Sequence, residues 1–178
     1  MPRPIVRLRT IGPHDSISEI TKLLHRAYKP QVEMGLKPLA GRQGDDITAD
    51  RAKHSECWLA LVDRPAGESG TPDKIVGIIL FEEIEKVSFP PFFLRPEVAH
   101  FAQFAVDPDL QGCGIGRLLL EKVEARAREN KAHELALSMA EPDRKLLDFY
   151  INRGFRLVEY WQWPYTNYRS CILSKELK

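Results

Sequence analysis

Between residues 100 and 130 this chain passes from a strand-like run, His100 to Val106, into a helix-like run, Gly116 to Asn130, through Gln111-Gly112-Cys113-Gly114-Ile115-Gly116. Three glycines in five positions leave the turn almost bare of side chains. The turn also opens a helix, whose first N–H groups lack intrahelical partners and whose dipole favours negative charge. Such a turn reads as a cradle for phosphate, most often a pyrophosphate, and spacing says whose. A P-loop follows its last glycine with lysine and a hydroxyl residue; Arg117 and Leu118 stand there. A dinucleotide fingerprint, G-x-G-x-x-G, lies early in its βαβ unit. Gly112 and Gly114 match it, but Arg117 fills the third glycine slot, and the turn comes after at least three candidate strands. The pattern Gln/Arg-x-x-Gly-x-Gly/Ala is met in full by Gln111, Gly114 and Gly116. A tight connection also uses glycine, so the assignment needs a second signal.

That signal is Leu146-Leu-Asp-Phe-Tyr-Ile-Asn-Arg-Gly-Phe155, a helix-like run carrying a tyrosine and closed by Gly-Phe. With Phe104 to Glu121 it resembles the GCN5-related N-acetyltransferases (GNAT superfamily), whose fourth strand, pyrophosphate loop and third helix precede such a fourth helix at this distance. The resemblance covers most of the chain. Alone, a helix tyrosine beside Gly-Phe is ordinary core; the two segments in order carry the resemblance.

The chain has 178 residues and a formal net charge of +1. That length allows one domain, taken as 1–178, and the balanced charge argues against a general nucleic-acid binder. Met-Pro-Arg-Pro is no secretory leader, and no run reaches membrane-spanning length, so a cytoplasmic protein with no membrane partner is expected. Cys57, Cys113 and Cys171 are odd in number and widely spaced. They read as reduced thiols with no metal-ligand spacing.

Along the chain, strands are expected at Ile5–Arg9, Cys57–Val62, Ile75–Glu82, His100–Val106, Leu135–Met139, Leu157–Trp163 and Arg169–Leu173, the last two as a terminal pair. Ser16 to Tyr28 reads as an amphipathic helix with a Ser16/Glu19 capping box. Short helical turns are expected around Asp46 to His54. The helix after the glycine turn should face Ile115, Leu118, Leu119 and Val123 inward, with Glu124 and Arg128 paired outside. Arg144 to Arg153 is the second signature helix, with Gly154 at its C′ position. The alternation indicates an α/β or α+β mixed sheet.

The resemblance implies a sharper architecture: a mostly antiparallel sheet with helices on both faces, whose parallel fourth and fifth strands splay apart to admit acetyl-CoA as cosubstrate. By the same resemblance, Phe104, Ala105 and Val106 would offer backbone groups to pantetheine, as an added strand would. The N–H groups of Gly112, Cys113, Gly114, Ile115, Gly116 and Arg117 would hold the pyrophosphate beside Gln111. The Arg117 side chain either reaches a phosphate or lies solvated. Tyr150 matches the family's tyrosine, the general acid for the departing thiolate, a role that a thiol of pKa about 8.5 calls for.

The general base is less legible. The family's usual glutamates fall on Ser138, or on Ala102 and Gln103. His100, Glu82 and Glu83 remain candidates, though each is more readily read as a solvated strand-end residue. Asp143 reads as the cap of the fourth helix, near the donor. Cys113 reads as an incidental loop thiol, not a carrier of acyl groups. The acceptor, a small-molecule or peptide amine, should meet Tyr28–Gly44, Ser88–Pro96 and Trp161–Tyr168. The four aromatic residues of that last stretch suit an apolar or cationic acceptor; closing the sheet end or burying a homodimer contact are equal readings. A non-catalytic acyl-CoA sensor that kept the loop is the rival to direct transfer in a ternary complex.

Overall fold

The computed structural model describes residues 2–84 and 87–178. In chain order its elements are β1 (Arg7–Thr10), α1 (Ile17–Glu33), α2 (Asp45–Lys53), β2 (Glu56–Asp63), β3 (Asp73–Phe81), β4 (Val98–Val106), α3 (Ile115–Glu129), β5 (Glu134–Ala140), α4 (Arg144–Ile151), β6 (Arg156–Trp161) and β7 (Ser170–Glu176), with 3-10 turns at Leu39–Gly41, Pro91–Leu94 and Pro108–Leu110. The strands form one mixed sheet in the order β1-β2-β3-β4-β5-β7-β6. Every neighbour pair is antiparallel except β4 and β5. The expected terminal pair does form, but β7 also pairs along its whole length with β5 and so lies between β5 and β6.

The runs Cys-Trp-Leu-Ala-Leu-Val and Ile-Val-Gly-Ile-Ile-Leu are nearly continuous in apolar residues because both faces of β2 and β3 are covered. Leu59, Leu61, Ile78 and Leu80 pack with Ile20, Leu23 and Leu24 of α1. Ala60, Val76, Ile79 and Phe81 pack with Leu119 and Val123 of α3, and Tyr150 of α4 belongs to the same cluster. Burying a leucine as completely as Leu119 or Leu24 contributes roughly 1.5–3 kcal/mol. Gly77 lets α3 lie close: a Cβ there would stand 2.9 Å from Leu119 Cδ1 and 3.1 Å from Ala60 Cβ.

Three local expectations change. The Ser16 side chain accepts from Glu19 N–H at 3.1 Å, but the Glu19 carboxylate turns away to Arg64 and to Ile75 N–H. The reciprocal half of the capping box is spent on fastening α1 to β3. Helix α1 runs past Tyr28 to Glu33, through Pro30, and Met34 N–H closes its end on the Pro30 and Gln31 carbonyls. On α3, Leu120 is buried and Leu118 only half-buried, so the inward stripe is Ile115, Leu119, Leu120 and Val123. The outward Glu124–Arg128 ion pair forms, at 3.6 Å.

The irregularity that matters for the site is in β4. Ile78 pairs with Ala105, but Leu80 pairs with Ala102, so β4 carries one extra residue there. Gln103, at φ 49°, takes up the excess. A bulge bends its strand and increases its twist. Strand β4 pairs with β5 only at Val98–Glu134, Ala99–Leu135 and His100–Ala136, and beyond His100 the two parallel strands part.

Candidate active site

The gap between β4 and β5 opens into a cavity of about 960 Å³, lined by the glycine turn, both strands, α4, and segments around residues 28–40, 89–93 and 163–170. At its wide end, Gly112 and Gly114 sit at φ 82° and 85°, conformations that disfavour any side chain. Cys113 N–H bonds Leu110 O and Leu118 N–H bonds Gly114 O. Among the described residues, no partner takes the N–H groups of Gly112, Gly114, Ile115, Gly116 or Arg117. They are a set of unpaired donors in residues that line the cavity, at the N-terminus of α3. Gly116 serves a different purpose: a Cβ there would press on Phe104 Cζ at 3.2 Å. The Gln111 side chain is exposed. That of Arg117 is 74 % exposed, 3.7 Å from Glu121. Ile115 is buried and meets the cavity mainly through backbone. Cys113, expected to offer its N–H to the pyrophosphate, spends it on Leu110 O and packs half-buried on the core as a free thiol, off the cavity wall.

Strand β4 offers a second row. Asp107 N–H donates to Val76 O, and hydrogen-bonding direction alternates along a strand. Ala105 therefore addresses β3, whereas Phe104 and Val106 direct their N–H and C=O groups into the gap. Tyr28 reaches across from α1 and donates to Phe104 O at 3.3 Å.

Tyr150 stands on the opposite wall. It is 3 % exposed and its ring packs among Phe101, Phe149 and Phe155. The hydroxyl makes no hydrogen bond with any described residue. Burial first, then the nearby Tyr28 and Asp143, hold its pKa well above the usual phenol value, so it stays a proton donor. Asp143 caps α4, accepting from Leu146 N–H at 3.2 Å, and also accepts from the buried Gln31 at 3.0 Å. Burial also raises Tyr28, and lifts Tyr168 to about 12. All three phenols line the cavity as neutral hydroxyls.

The base candidates separate. His100 lines the narrow end, stacked on Phe93 at 4.8 Å. Its Nε2 lies 3.0 Å from Glu83 O, and its Nδ1 lies 3.3 Å from Glu82 Oε2. Glu82, at φ 55°, is half-exposed; burial pushes its carboxyl up to about 7, with a backbone hydrogen bond from His100 opposing. It does not line the cavity. Glu83, readable from sequence as a solvated strand end, is buried against Arg51.

The sequence positions where the family's glutamates are absent hold other bonds. Ser138 Oγ accepts from Trp163 Nε1–H at 2.9 Å, and Gln103 pairs with the buried Gln43 at 2.7 Å. Arg51, on α2, was not legible as a cavity residue, and Gln31, inside the segment expected near the acceptor, was not singled out; an arginine or glutamine on a helix gives no signal of what it will face. The three segments expected around the acceptor do converge, through Tyr28, Leu39 and Ala40, Phe89 and Phe93, and Trp163, Tyr165 and Tyr168. Among the described residues there is no cluster of metal-ligating side chains, and no helix is long and apolar enough to cross a membrane.

With this geometry in hand, likeness to known proteins is informative. A family model described as "Acetyltransferase (GNAT) family" matches residues 17–155. Solved structures share the fold over nearly the whole chain. A protein called PH1933 from Pyrococcus horikoshii OT3 is 19 % identical, with 98 % of this chain and 99 % of that one covered and a TM-score of 0.68. The ribosomal-protein-S18-alanine N-acetyltransferase from Escherichia coli is 14 % identical over 98 % and 95 %, at 0.65. A GNAT family acetyltransferase from Elizabethkingia anophelis, solved with acetyl-CoA bound, is 17 % identical over 97 % and 98 %, at 0.62. No curated protein matches the sequence.

Proposed function

This chain belongs to the acetyltransferase (GNAT) family, and we propose that it transfers an acetyl group from acetyl-CoA directly to a primary amine of a small molecule or a peptide N-terminus. The observation that carries the reading is the juxtaposition across one gap of the unpaired N–H donors of Gly112, Gly114, Ile115, Gly116 and Arg117 and the protonated hydroxyl of the buried Tyr150. The donors fit a pyrophosphate, by charge and by the bare approach that Gly112 and Gly114 leave. Phe104 and Val106, more than Ala105, are suited to extend β4 by bonding the pantetheine amides.

On this reading the amine nitrogen attacks the thioester carbon, the C–S bond breaks, and Tyr150 gives its proton to the leaving sulfur. The proton lost by nitrogen leaves through water or a diffuse set of groups. His100 and Glu82 are positioned as neighbours of one another, with the ring nitrogens of His100 turned to Glu82 and Glu83 O and away from the open cavity. A dedicated base at either is therefore not part of the proposal. The acyl-CoA sensor reading explains the loop but gives the hydroxyl of the buried Tyr150 no task.

Thermal shift and thiol release together test the proposal. Acetyl-CoA should raise Tm by mass action, NADH and ATP should not, and free thiol should appear only when a suitable amine is added. An equal shift with NADH would refute the donor. A shift with no amine-dependent thiol release would favour the sensor.

A further inference from the structure

The narrow end of the cavity, where β4 and β5 still pair, is built from rings. Phe89 sets its edge against Phe93, His100 and Trp163 at centroid distances of 5.9, 5.2 and 6.2 Å. Trp163 stacks on Tyr165 at 5.7 Å and 17°, and is fixed at its polar tip by the bond to Ser138. With the indole N–H satisfied by Ser138, which lines the cavity beside it, Phe89, Phe93, Trp163 and Tyr165 present an ordered set of ring faces and edges to the chamber. Such a surface selects flat apolar bodies, because offset-stacked and edge-to-face contacts add to plain area burial.

Charge in the same place narrows the choice. Glu83, buried, and Arg51, partly buried, line the cavity there and face each other as an ion pair. A polyamine needs several acidic groups for its distal ammoniums; Glu83 is held by Arg51 through Oε1, which leaves Oε2 alone without a hydrogen-bond partner among the described residues. A free amino acid needs a cation for its carboxylate, and Arg51 is committed to Glu83. Breaking a buried pair to serve a substrate costs several kcal/mol. A neutral aromatic body asks for neither.

The roof argues about size. Lys37 N–H donates to Asn167 Oδ1 at 2.8 Å, Asn167 Nδ2–H donates to Gly35 O at 3.0 Å, and Arg42 donates to Tyr165 O. These bonds stitch the segment holding Leu39 and Ala40 to the one holding Tyr165 and Tyr168, so the two cavity walls they supply are joined above the chamber. A polypeptide would have to part them, and a small molecule would not.

We propose that the acceptor is a small primary amine carried on a flat aromatic body, an arylalkylamine, in preference to a polyamine, a free amino acid or a peptide N-terminus. This rests on the transferase reading above. The transfer balances: the N–C bond forms as the C–S bond breaks, nitrogen loses one proton to water, and the thiolate gains one through Tyr150.

The test is thiol release from acetyl-CoA with 2-phenylethylamine, tryptamine, hexylamine, spermidine, phenylalanine and a trialanine peptide. The arylalkylamines should exceed hexylamine in kcat/KM by about tenfold, the scale of one or two good ring contacts, and the other three by more. Trp163→Leu should raise KM for 2-phenylethylamine by about tenfold, with a smaller effect on hexylamine and an unchanged thermal shift by acetyl-CoA. Phe89→Leu, which disturbs no hydrogen bond, provides the same comparison should the Trp163 variant fail to fold. Spermidine, phenylalanine or the peptide as the best acceptor would overturn this inference and leave the transferase reading standing. Equal effects of both wall variants on aryl and alkyl amines would also overturn it. No thiol release with any amine, despite an acetyl-CoA shift, would overturn both.

Discussion

Replacing Tyr150 with Phe separates a chemical role from a packing role in one atom. The ring is held by Phe101 at 6.3 Å, Phe149 at 5.1 Å and Phe155 at 5.4 Å, and a phenylalanine keeps all three contacts. The hydroxyl it loses has no described partner, so no buried group is orphaned by its removal. The hydroxyl borders the cavity and is not sealed among apolar atoms, so stability should stay level. The acetyl-CoA dissociation constant should hardly move, since the donors at 112, at 114–117 and along β4 are backbone groups. Turnover should fall by about 10²-fold or more, equivalent to about 2.7 kcal/mol of barrier and within the usual range for general acid catalysis. Single-turnover thiol release at saturating amine, with Tm and donor affinity measured on the same preparation, is the assay. Near-wild-type turnover while chemistry limits the rate would refute the general-acid role and leave Tyr150 as a core ring with an idle hydroxyl. A large loss of Tm would refute the packing argument instead.

Other expectations follow from single positions. Gly114→Ala asks for a left-handed alanine, at a cost of roughly 1–2 kcal/mol, in a place where the new methyl meets no protein atom; the fold should persist while the thermal shift by acetyl-CoA shrinks, and an undiminished shift would remove the phosphate assignment. Gly77→Ala puts its methyl 2.9 Å from Leu119 and should destabilise by about 1–3 kcal/mol through overpacking, read by urea denaturation. The Glu82 carboxyl, raised to about 7 in the folded state, binds its proton more tightly there than in the unfolded chain. Its contribution is fully present below the unfolded value near 4.5 and is lost as pH rises through about 7. The Tm of Glu82→Gln should therefore fall less than that of the parent between pH 5 and 8; parallel curves would contradict the shift. His100→Gln should lower kcat/KM by less than about tenfold, and a hundredfold loss would identify His100 as the base after all.

Much of this was written in the sequence where a local rule has one outcome. A glycine turn between a strand and an amphipathic helix gave the donor cradle, and alternation of strands with helices gave the mixed sheet. Gly154, at φ 91°, ends the α4 region as read. What stayed hidden depends on partners far along the chain. Glu19 fits a capping box locally, yet Arg64 and Ile75 outcompete the helix for its carboxylate. Glu83 lies two residues past the end of β3 and looks solvated until it meets Arg51. The extra residue of β4 at Gln103 has no compositional mark, because a bulge without glycine is specified by the register of neighbours. Without that residue the two strands would have no reason to part where they do.

The placement of β7 has a bearing on how the molecule assembles. Strand β6 is synthesised before β7, yet β7 is its one neighbour in the sheet. Until residues 170–176 arrive, β6 can pair with nothing and β5 has one open flank. Non-local pairing of this kind is slow, and unpaired strand edges are prone to aggregate. The half of the sheet holding β1 to β4 can form early, from hairpin-like neighbours. The wall that β7 and the segment before it give to the cavity waits for a strand threaded in afterwards, so a nascent chain passes through a stage in which β5 has one open flank and the cavity lacks the side built by residues 163–170.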